Sequence, residues 1–484
     1  MKLDPDTCYS ALLTRDRRFD GWFYIGVSST GVYCRPVCAV RTPLRRNCFF
    51  YPSAAAAEQA GYRPCLRCRP ELAPGHGVLD LSGQLARAAA ALIDQSLTDN
   101  AGLSGVARRV GVTPRHLRRI FEAEFGVPPV AYAQTQRLLL AKGLLTDTAL
   151  SMTAVASAAG FGSVRRFNHL FRTRYGLAPL RLRQAGGQPV RHDMLSVPLA
   201  YRPPYAWAPL IDFVARRVVD GVETVTADRY TRAVAFADAP GSAPATGWIT
   251  VTFDPQHHVL RLTLPARLSP HIGRILAGVR RLFDLSARPD LIDAHLPEFA
   301  VEVPGLRVPG AFDGFEIALR AVVGQQIGLP QARRILARLA QSLGTAVPDA
   351  PEGLCRVLPD ASTLAASTPD ELRACGLTAA RAATLHALAE AVAAGRIDLQ
   401  PLAAVEPTLA ALQTLPGIGN WTAQVIALRG LGWPNAFPAG DLVLRKQLGL
   451  DKAADVLAHA ARWAPWRAYA AVHLWRRAAE GEPS

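Results

Sequence analysis

The sequence has no long apolar run, since no window of about 18 residues is both uncharged and apolar throughout. That absence excludes a transmembrane helix, and no membrane is expected among the partners. The first residues, Met1 to Asp6, also lack the basic and apolar regions of a secretory signal. We therefore expect the protein in the cytoplasm.

Acidic residues are scarce in one part of the chain: residues 101–190 contain 3 Asp or Glu against 13 Lys or Arg. Residues 1–190 hold 25 basic and 12 acidic residues, a net charge of +13, whereas the remainder holds 29 and 27, a net charge of +2. Concentrated positive charge predicts a polyanionic partner for the first part. A basic surface that is merely solvated is the alternative.

Cysteine occurs eight times, and four of these residues form two tight pairs. Thiols stay reduced in the cytoplasm, and two short pairs joined by a loop suit one tetrahedral zinc ion. The spacing leaves open whether the sulfurs only hold the fold or also react. The predicted zinc ligands are Cys34, Cys38, Cys65 and Cys68. The isolated cysteines, which we expect to be buried thiols, are Cys8, Cys48, Cys355 and Cys375.

Residues 79–183 have a helical period and contain an internal repeat, in which Phe125-Gly126 recurs as Tyr175-Gly176. Each copy has the pattern of a short helix, a glycine turn, a capping residue and a second helix that bears arginines. The second helices are predicted at Pro114 to Phe125 and Val164 to Tyr175. Their outward-facing arginines are candidate groove readers: Arg115, Arg118, Arg119, Arg165 and Arg166.

The two copies, joined by a helix predicted from Pro129 to Leu145, resemble the AraC-type DNA-binding domain. The resemblance implies two helix-turn-helix motifs positioned for successive major grooves. A repeat of packing helices that binds no ligand is the alternative.

Beyond the linker-like segment Gln184 to Pro189, the pattern changes to strands. Apolar residues alternate at 249, 251 and 253 and again at 260, 262 and 264, on either side of a turn at 254–257. This predicts a hairpin with one buried face. We expect an antiparallel sheet with helices to about residue 300, and helices again from Phe312.

A glycine hairpin in the segment Leu415 to Thr422 joins two predicted helices. Gly417 and Gly419 allow a sharp turn and leave amide N–H groups free to hold a phosphate. Alone, such a loop could equally be a packing turn. Further along, however, Asp441 directly follows a turn that contains proline and glycine, and a hairpin with a downstream aspartate resembles the helix-hairpin-helix DNA glycosylase superfamily.

The resemblance is close to the AlkA-type, 3-methyladenine DNA glycosylase II branch over roughly residues 195–477. It implies that Asp441 is the catalytic carboxylate, that Trp475 and Trp421 bind the flipped base, and that Gln326 fills the vacated stack. Bifunctional relatives carry Lys where this chain has Trp421, so a monofunctional glycosylase is expected. The segments that carry the resemblance are Tyr201 to Tyr205, Arg281 to Leu285, Ala321 to Gln326 and Trp463 to Arg467.

The chain departs from that branch at three positions. Gln326 stands where the best-known member has an aliphatic residue, and Val425 and Leu442 are less aromatic than expected. These departures leave the range of excised bases open.

The cysteine quartet, preceded by Ser29 to Tyr33, resembles the N-terminal domain of the Ada-type adaptive-response proteins over residues 5–72. The resemblance implies that Cys34 accepts a methyl group from a DNA methylphosphotriester, with the other three cysteines as supporting ligands. A purely structural zinc site is the alternative. The Pro-Cys-His-Arg segment of the family's other alkyl acceptor does not occur in this sequence.

Together these patterns predict a multidomain repair protein that is also a methylation-responsive regulator. Alkylated and promoter duplex DNA are the expected partners, RNA polymerase is a candidate partner, and a nucleoid-associated monomer is expected. The competing prediction is a zinc-dependent transcription factor whose glycosylase-like part only binds DNA. The predicted domains are a small α+β zinc domain (1–76), an all-α double helix-turn-helix domain (78–185), an antiparallel α+β domain (192–305) and an all-α helix-hairpin-helix glycosylase domain (306–484).

Overall fold

The computed structural model describes residues 4–74, 84–95, 102–110, 112–185, 193–237, 243–400 and 405–481. The chain forms two compact units. The first comprises Met1–Pro203, Asp254–Arg280 and Leu285–Arg288, and the second comprises Pro204–Phe253, Arg281–Asp284 and Pro289–Ser484. Within the described ranges, no helix has both the length and the apolar character that crossing a membrane requires.

A small sheet organises the first 74 residues. Its strands are β1 (Tyr24–Val27), β2 (Val32–Cys34), β3 (Cys48–Tyr51) and β4 (Arg63–Pro64), with helices α1 (Pro5–Leu13) and α2 (Ala54–Gln59). The strand order is β3-β1-β2-β4. Strand β1 is antiparallel to both neighbours, whereas β4 runs parallel to β2. Phe23 and Ile25 from the β1 segment pack with Leu12 of α1 in the core.

The next helices form the predicted repeat. They are α3 (Gln84–Gln95), α4 (Gly102–Arg109), α5 (Pro114–Phe125), α6 (Pro129–Asp147), α7 (Met152–Ala158), α8 (Val164–Tyr175) and α9 (Pro179–Ala185). The predicted bounds of α5 and α8 are confirmed, and the connecting helix α6 is confirmed but ends two residues later. The side chains of Thr113 and Ser163 cap α5 and α8 by accepting backbone N–H groups.

The middle of the chain contains both strands and helices: β5 (Met194–Ala200), α10 (Trp207–Ala215), β6 (Glu223–Val225), β7 (Arg229–Phe236), β8 (Ala245–Asp254), β9 (Val259–Pro265), α11 (Ile272–Leu282), α12 (Pro289–His295) and α13 (Pro297–Ala300). In the first unit β5 pairs antiparallel with β9, and in the second β7 pairs antiparallel with β6 and β8. The predicted alternation is confirmed on both hairpin strands, where Ile249, Val251 and Leu262 are fully buried. Most of the predicted linker, residues 186–189, lies outside the described residues.

The rest of the described chain is helical: α14 (Gly314–Val323), α15 (Leu329–Leu343), α16 (Ala361–Ala366), α17 (Pro369–Ala374), α18 (Ala379–Ala393), α19 (Val405–Gln413), α20 (Asn420–Arg429), α21 (Leu442–Leu448), α22 (Ala453–Ala460) and α23 (Arg467–Glu480). The glycine hairpin lies between α19 and α20. Gly417 has φ +83°, and a Cβ there would lie 2.1 Å from Thr384 Oγ1, so only glycine fits. The predicted fold class is confirmed.

Candidate functional site

The four predicted zinc ligands come together at one end of the small sheet. Strand β2 ends at Cys34, a turn closed by the Cys38 N–H and the Arg35 carbonyl follows, and β4 leads into Cys65. The four Sγ atoms all lie within 4.8 Å of one another. Zn–S bonds of about 2.3 Å place tetrahedral sulfurs about 3.8 Å apart, so this set of donors fits zinc.

The four sulfurs differ in their surroundings. Backbone N–H groups donate to Cys68 Sγ (3.3 Å, from Arg35) and to Cys65 Sγ (3.4 Å, from Arg67). In the described part of the chain, no backbone N–H donates to Cys34 Sγ. By exposure alone, Cys68 is the most accessible of the four, because the other three are buried.

One of the predictions for the remaining cysteines is wrong. Cys8, Cys48 and Cys375 are buried as predicted, but Cys355 is exposed. It lies in the irregular segment between α15 and α16, where the neighbouring Leu354 turns inward and leaves Cys355 on the outer side.

A buried ion pair supports the zinc-ligand segment. The Arg35 guanidinium is 6% exposed, and it donates to the Asp20 carboxylate (Nε to Oδ1, 2.8 Å) and to the Cys68 carbonyl (3.1 Å). Burial alone would lower the pKa of Arg35, but the Asp20 carboxylate outweighs it and the pKa is raised. Arg35 therefore stays charged and holds the Cys68 turn against the loop before β1.

A buried carboxyl group links the zinc end of the sheet to α6. Tyr33, next to Cys34, donates its hydroxyl to Glu58 Oε1 (3.0 Å), and Thr135 of α6 donates to Glu58 Oε2 (2.9 Å). Burial raises the pKa of Glu58 to about 7, although both hydrogen bonds oppose the shift.

A second link is ionic. Lys142 of α6 is 1% exposed and donates to both oxygens of Glu71 at 2.7 and 2.6 Å. Arg69, which directly follows the fourth ligand cysteine, bonds Glu71 (2.9 Å) and Asp147 at the end of α6 (2.7 and 2.5 Å). The ligand turn and the helix between the two helix-turn-helix motifs are thus tied together.

The five predicted groove-reading arginines lie on the exposed faces of α5 and α8. The opposite faces are buried through Leu117 and Phe121 in α5 and through Phe167 and Phe171 in α8. Ile120 of α5 and Leu170 of α8 are half-buried. The arginines' contacts with DNA stay a prediction.

In the second unit, both predicted tryptophans donate to Asp441. Trp421 Nε1 lies 2.9 Å from Oδ2, and Trp475 Nε1 lies 3.3 Å from Oδ1. Asp441 is also the N-cap of α21, where Oδ1 accepts the N–H groups of Val443 (3.0 Å) and Leu444 (3.2 Å). Four donors therefore fix the carboxylate in one orientation.

A cleft of about 380 Å³ is lined by two of the carboxylate's partners, Trp475 and Val443, whereas Asp441 itself is not among its lining residues. The other walls include Phe213 and Arg217 of the α10 segment, which sequence reasoning missed. No signal in the sequence separates these two from ordinary residues of an amphipathic helix. Trp421 contacts Asp441 without lining the cleft.

The end of α14 is bound to the glycine hairpin. The Gln325 side chain donates to the Gly417 carbonyl and to Thr422 Oγ1, both at 2.9 Å. Gln326 beside it lies in a turn, is exposed and has φ +54°. Gly419 is the N-cap residue of α20. Because it has no side chain, it accepts no hydrogen bond from the first N–H groups of that helix.

Family models match four successive parts of the chain. The metal-binding domain of Ada matches residues 7–71, a helix-turn-helix domain matches residues 106–185, the AlkA N-terminal domain matches residues 196–313, and the HhH-GPD superfamily of base excision DNA repair proteins matches residues 319–455.

Over nearly its whole length the chain is similar to a probable bifunctional transcriptional activator/DNA repair enzyme AlkA of Mycobacterium tuberculosis. The two are 37% identical over 98% of this chain and 96% of the relative. The chain belongs to this family of bifunctional activator/repair proteins. Zinc is its cofactor, because the Ada metal-binding model coincides with the four-cysteine cluster. DNA is its partner.

Each half of this bifunctional family member also has relatives of its own. The DNA-3-methyladenine glycosylase 2 of Escherichia coli is 36% identical over 57% of this chain and 95% of the relative. The bifunctional transcriptional activator/DNA repair enzyme Ada of Escherichia coli is 37% identical over 31% of this chain and 42% of the relative.

Proposed function

We propose that this protein excises alkylated bases such as 3-methyladenine from DNA, takes methyl groups from DNA methylphosphotriesters, and regulates transcription in response. The proposal keeps the four predicted domains, 1–76, 78–185, 192–305 and 306–484. The observation that carries the excision activity is the Asp441 carboxylate, oriented by two indole N–H groups, one of them from Trp475, which lines a cleft large enough for a base.

Hydrolysis of the N-glycosidic bond develops positive charge on the sugar, which the Asp441 carboxylate stabilises while it orients a water. A base that carries an alkyl group on a ring nitrogen is cationic and leaves as a neutral molecule, so it needs no strong general acid. Trp475 offers its indole face to the flipped base, an attraction of about 1–2 kcal/mol for a desolvated cation. Because Trp421 has no amine, the enzyme is monofunctional and leaves an abasic site.

The test is release of 3-methyladenine from methylated duplex DNA by Asp441→Asn. We expect a loss on the order of 100-fold or more, because the neutral amide cannot stabilise the charged sugar. Asn also caps helices well, so α21 and the unfolding midpoint should be preserved. Asp451→Asn, at an exposed position of the same unit, is the matched control. Unchanged release by Asp441→Asn would assign the role to another residue.

The methyl-acceptor activity is a second function, and the clustered thiols favour it. Bound zinc supplies stabilisation of the thiolate form at neutral pH. N–H···S hydrogen bonds draw charge from a thiolate, so Cys34 Sγ, without a backbone donor, is a stronger nucleophile than Cys65 Sγ or Cys68 Sγ despite its burial. The resemblance to the Ada metal-binding domain favours Cys34 over Cys38. Cys34 Sγ attacks the methyl carbon, the S–C bond forms as the C–O bond breaks, and the electron pair leaves with the phosphodiester oxygen.

The acceptor is identified by mapping the methylated cysteine after incubation with DNA that contains methylphosphotriesters. We expect the added methyl group on the peptide that contains Cys34, and none in Cys34→Ala protein, whose zinc content and folding are checked in parallel. Cys355→Ser, which removes an exposed thiol, should methylate normally. A methyl group on Cys68 of the wild-type protein would contradict the assignment.

The regulatory part of the proposal places the exposed arginines of α5 and α8 in successive major grooves of promoter DNA. We further propose that the protein contacts RNA polymerase, acts as a monomer and works in the cytoplasm at the nucleoid. The alternative, in which the glycosylase-like part only binds DNA, is less well supported. Relatives that match both halves of the chain are described as DNA repair enzymes.

A further inference from the structure

Arg202 is a fully buried arginine of the first unit, and the proposed activities do not use it. Its guanidinium donates to backbone carbonyls that come from distant parts of the sequence: Asp20 (Nε 3.1 Å and Nη2 2.9 Å), Ser286 (Nη1 3.1 Å) and Ala287 (Nη1 3.4 Å). Asp20 lies in the range that matches the Ada metal-binding model, whereas the other three residues lie in the range that matches the AlkA N-terminal model. Because a buried charge is stable only when its donors are satisfied, Arg202 joins these two parts of the first unit.

The packing around this junction is close. Gly21 has φ +78°, and a Cβ there would lie 2.4 Å from the Pro74 carbonyl oxygen and 3.4 Å from Arg202 Nη2, so only glycine fits. A second arginine, Arg288, places its guanidinium carbon 4.2 Å from the centre of the Trp22 ring. Both of these residues are 8% exposed, a burial at which the cation–π attraction is stronger than at the surface. The loop before β1 is therefore held against the AlkA-type part of the first unit by two arginines.

Asp20 connects this junction to the zinc-ligand segment. Its carbonyl oxygen accepts from Arg202, while its carboxylate accepts from Arg35 (Nε to Oδ1, 2.8 Å). Arg35 in turn donates to the Cys68 carbonyl at 3.1 Å, and its backbone N–H donates to Cys68 Sγ at 3.3 Å. Asp20, Arg35 and Arg202 are 4%, 6% and 0% exposed, so water cannot take the place of these bonds. A displacement of the Cys68 turn therefore disturbs the Asp20 segment that Arg202 holds.

At its other end the junction is close along the chain to a carboxylate of the second unit. Ser286 follows Asp284 by two positions, and Asp284 Oδ2 accepts the Tyr469 hydroxyl (2.7 Å) and the Val308 N–H (3.3 Å). Tyr469 belongs to α23, the helix that also carries Trp475 of the proposed base-binding cleft. The covalent chain from Ser286 to Asp284 thus connects the Arg202 junction with the helix that carries a base-binding residue.

We propose that Arg202 couples the zinc-ligand turn to base excision, so that the excision rate depends on whether zinc holds that turn. When the cysteines are free of metal, the Cys68 turn is no longer fixed and Arg35 loses both of its bonds to it. Asp20 then loses its fixed position, and Arg202 loses the carbonyl that accepts two of its N–H groups. The functional part of this inference rests on the proposed excision activity and adds control of that activity by the thiol cluster.

The test compares full-length protein with zinc bound and after removal of zinc by a chelator, and it has two readouts. Hydrogen exchange is followed at the Leu285 N–H, which donates to the Arg280 carbonyl at 2.9 Å. Release of 3-methyladenine from methylated duplex DNA is timed in single turnover with protein in excess. In the wild type we expect zinc removal to raise the exchange rate at Leu285 about tenfold and to slow release about tenfold. Exchange in α15 of the second unit should not change.

Arg202→Met keeps much of the length of the side chain and removes all of its donors. In this variant, exchange at Leu285 should be fast and release slow even with zinc bound, and zinc removal should change either rate by less than about twofold. Arg202→Lys keeps the charge but not the planar set of donors, so its response to zinc should be smaller than that of the wild type. It provides the comparison if Arg202→Met does not fold.

Arg373→Gln is the matched control, because Arg373 is an exposed arginine that pairs with the exposed Asp370, and it should respond to zinc as the wild type does. A response of wild-type size in both Arg202 variants would overturn the coupling. Wild-type exchange and release that do not change on zinc removal would also overturn it. Absence of base release by zinc-bound wild type would overturn the proposed excision instead, and the exchange rates would then decide whether Arg202 couples the two parts of the first unit.

Discussion

Trp421 donates its indole N–H group to Asp441, and that it binds the flipped base stays a prediction. Its Nε1 donates to Asp441 Oδ2 at 2.9 Å, and it does not line the cleft. Trp421→Phe keeps an aromatic face and removes this donor. We expect the rate of base release at saturation to fall about tenfold, near the roughly 1–1.5 kcal/mol of one hydrogen bond, with KM unchanged.

Trp475→Phe provides the comparison for that prediction. Phe is a poorer partner for a cationic base than indole, so KM for 3-methyladenine DNA should rise in this variant. If Trp421→Phe instead raised KM and left the saturated rate unchanged, Trp421 would bind the base as the sequence predicted.

Glu58 makes the stability of the first unit depend on pH. Its carboxyl group is buried between Tyr33 and Thr135, and burial raises its pKa to about 7. The folded state therefore holds a proton that the unfolded chain has released, and stability falls as pH rises from about 4.5 to 7 and is flat above. The lost contribution is on the order of 3 kcal/mol.

The measurement for Glu58 is the unfolding free energy of wild type and Glu58→Gln across that pH window. The neutral amide can keep both hydroxyl contacts, so the difference between the two proteins should depend on pH in the direction just described. Parallel curves would show that Glu58 titrates alike in the folded and unfolded chains.

At the scale of elements, the contact of α6 with the zinc-ligand turn depends on a buried ion pair. Lys142 lies 2.6 Å from Glu71 and both side chains are nearly inaccessible. Glu71→Ala leaves a buried ammonium without its partner, and we expect a loss of about 3–5 kcal/mol in the unfolding free energy of the first unit. Glu71→Leu with Lys142→Met removes both charges and should recover most of that loss.

Denaturant unfolding of Glu71→Leu, Lys142→Met and the variant that combines them checks this pair. Additive losses in the double variant would mean that the two side chains do not interact in the folded protein. Arg45→Met, at a partly exposed ion pair with the exposed Asp6, is the control and should change stability by less than about 1 kcal/mol.

The elements that the sequence predicted correctly are those whose ends are set by neighbouring residues. Helices α5 and α8 begin at capping Thr113 and Ser163 and end at glycines with positive φ, and all these signals lie within one helix length. Glu58 could not be predicted, because its importance comes from Tyr33 and Thr135, which lie far from it along the chain. An isolated arginine or glutamate on a helix is usually solvated. Asp441 was found only because the glycine hairpin resembles a known family.

The whole molecule concentrates its charge in the part that holds both the thiol cluster and the helix-turn-helix repeat, with +13 in residues 1–190 against +2 in the rest. Four thiolates with one divalent ion carry 2 − 4 = −2, and methylation of one sulfur leaves −1. A weaker negative charge repels DNA phosphates less. The hydrogen bonds of Arg69 and Tyr33 also connect the zinc-ligand segment, where this charge changes, to α6.

We therefore expect methylated protein to bind promoter DNA more tightly than unmethylated protein, by about tenfold at low salt, with the difference shrinking toward 0.5 M salt as charges are screened. Titrations of both forms at several salt concentrations measure it. Arg118→Gln should weaken both forms and reduce the salt slope by about 1, leaving the difference between them unchanged. A difference that persists undiminished at high salt would show that methylation acts through a rearrangement of α6 instead of through charge.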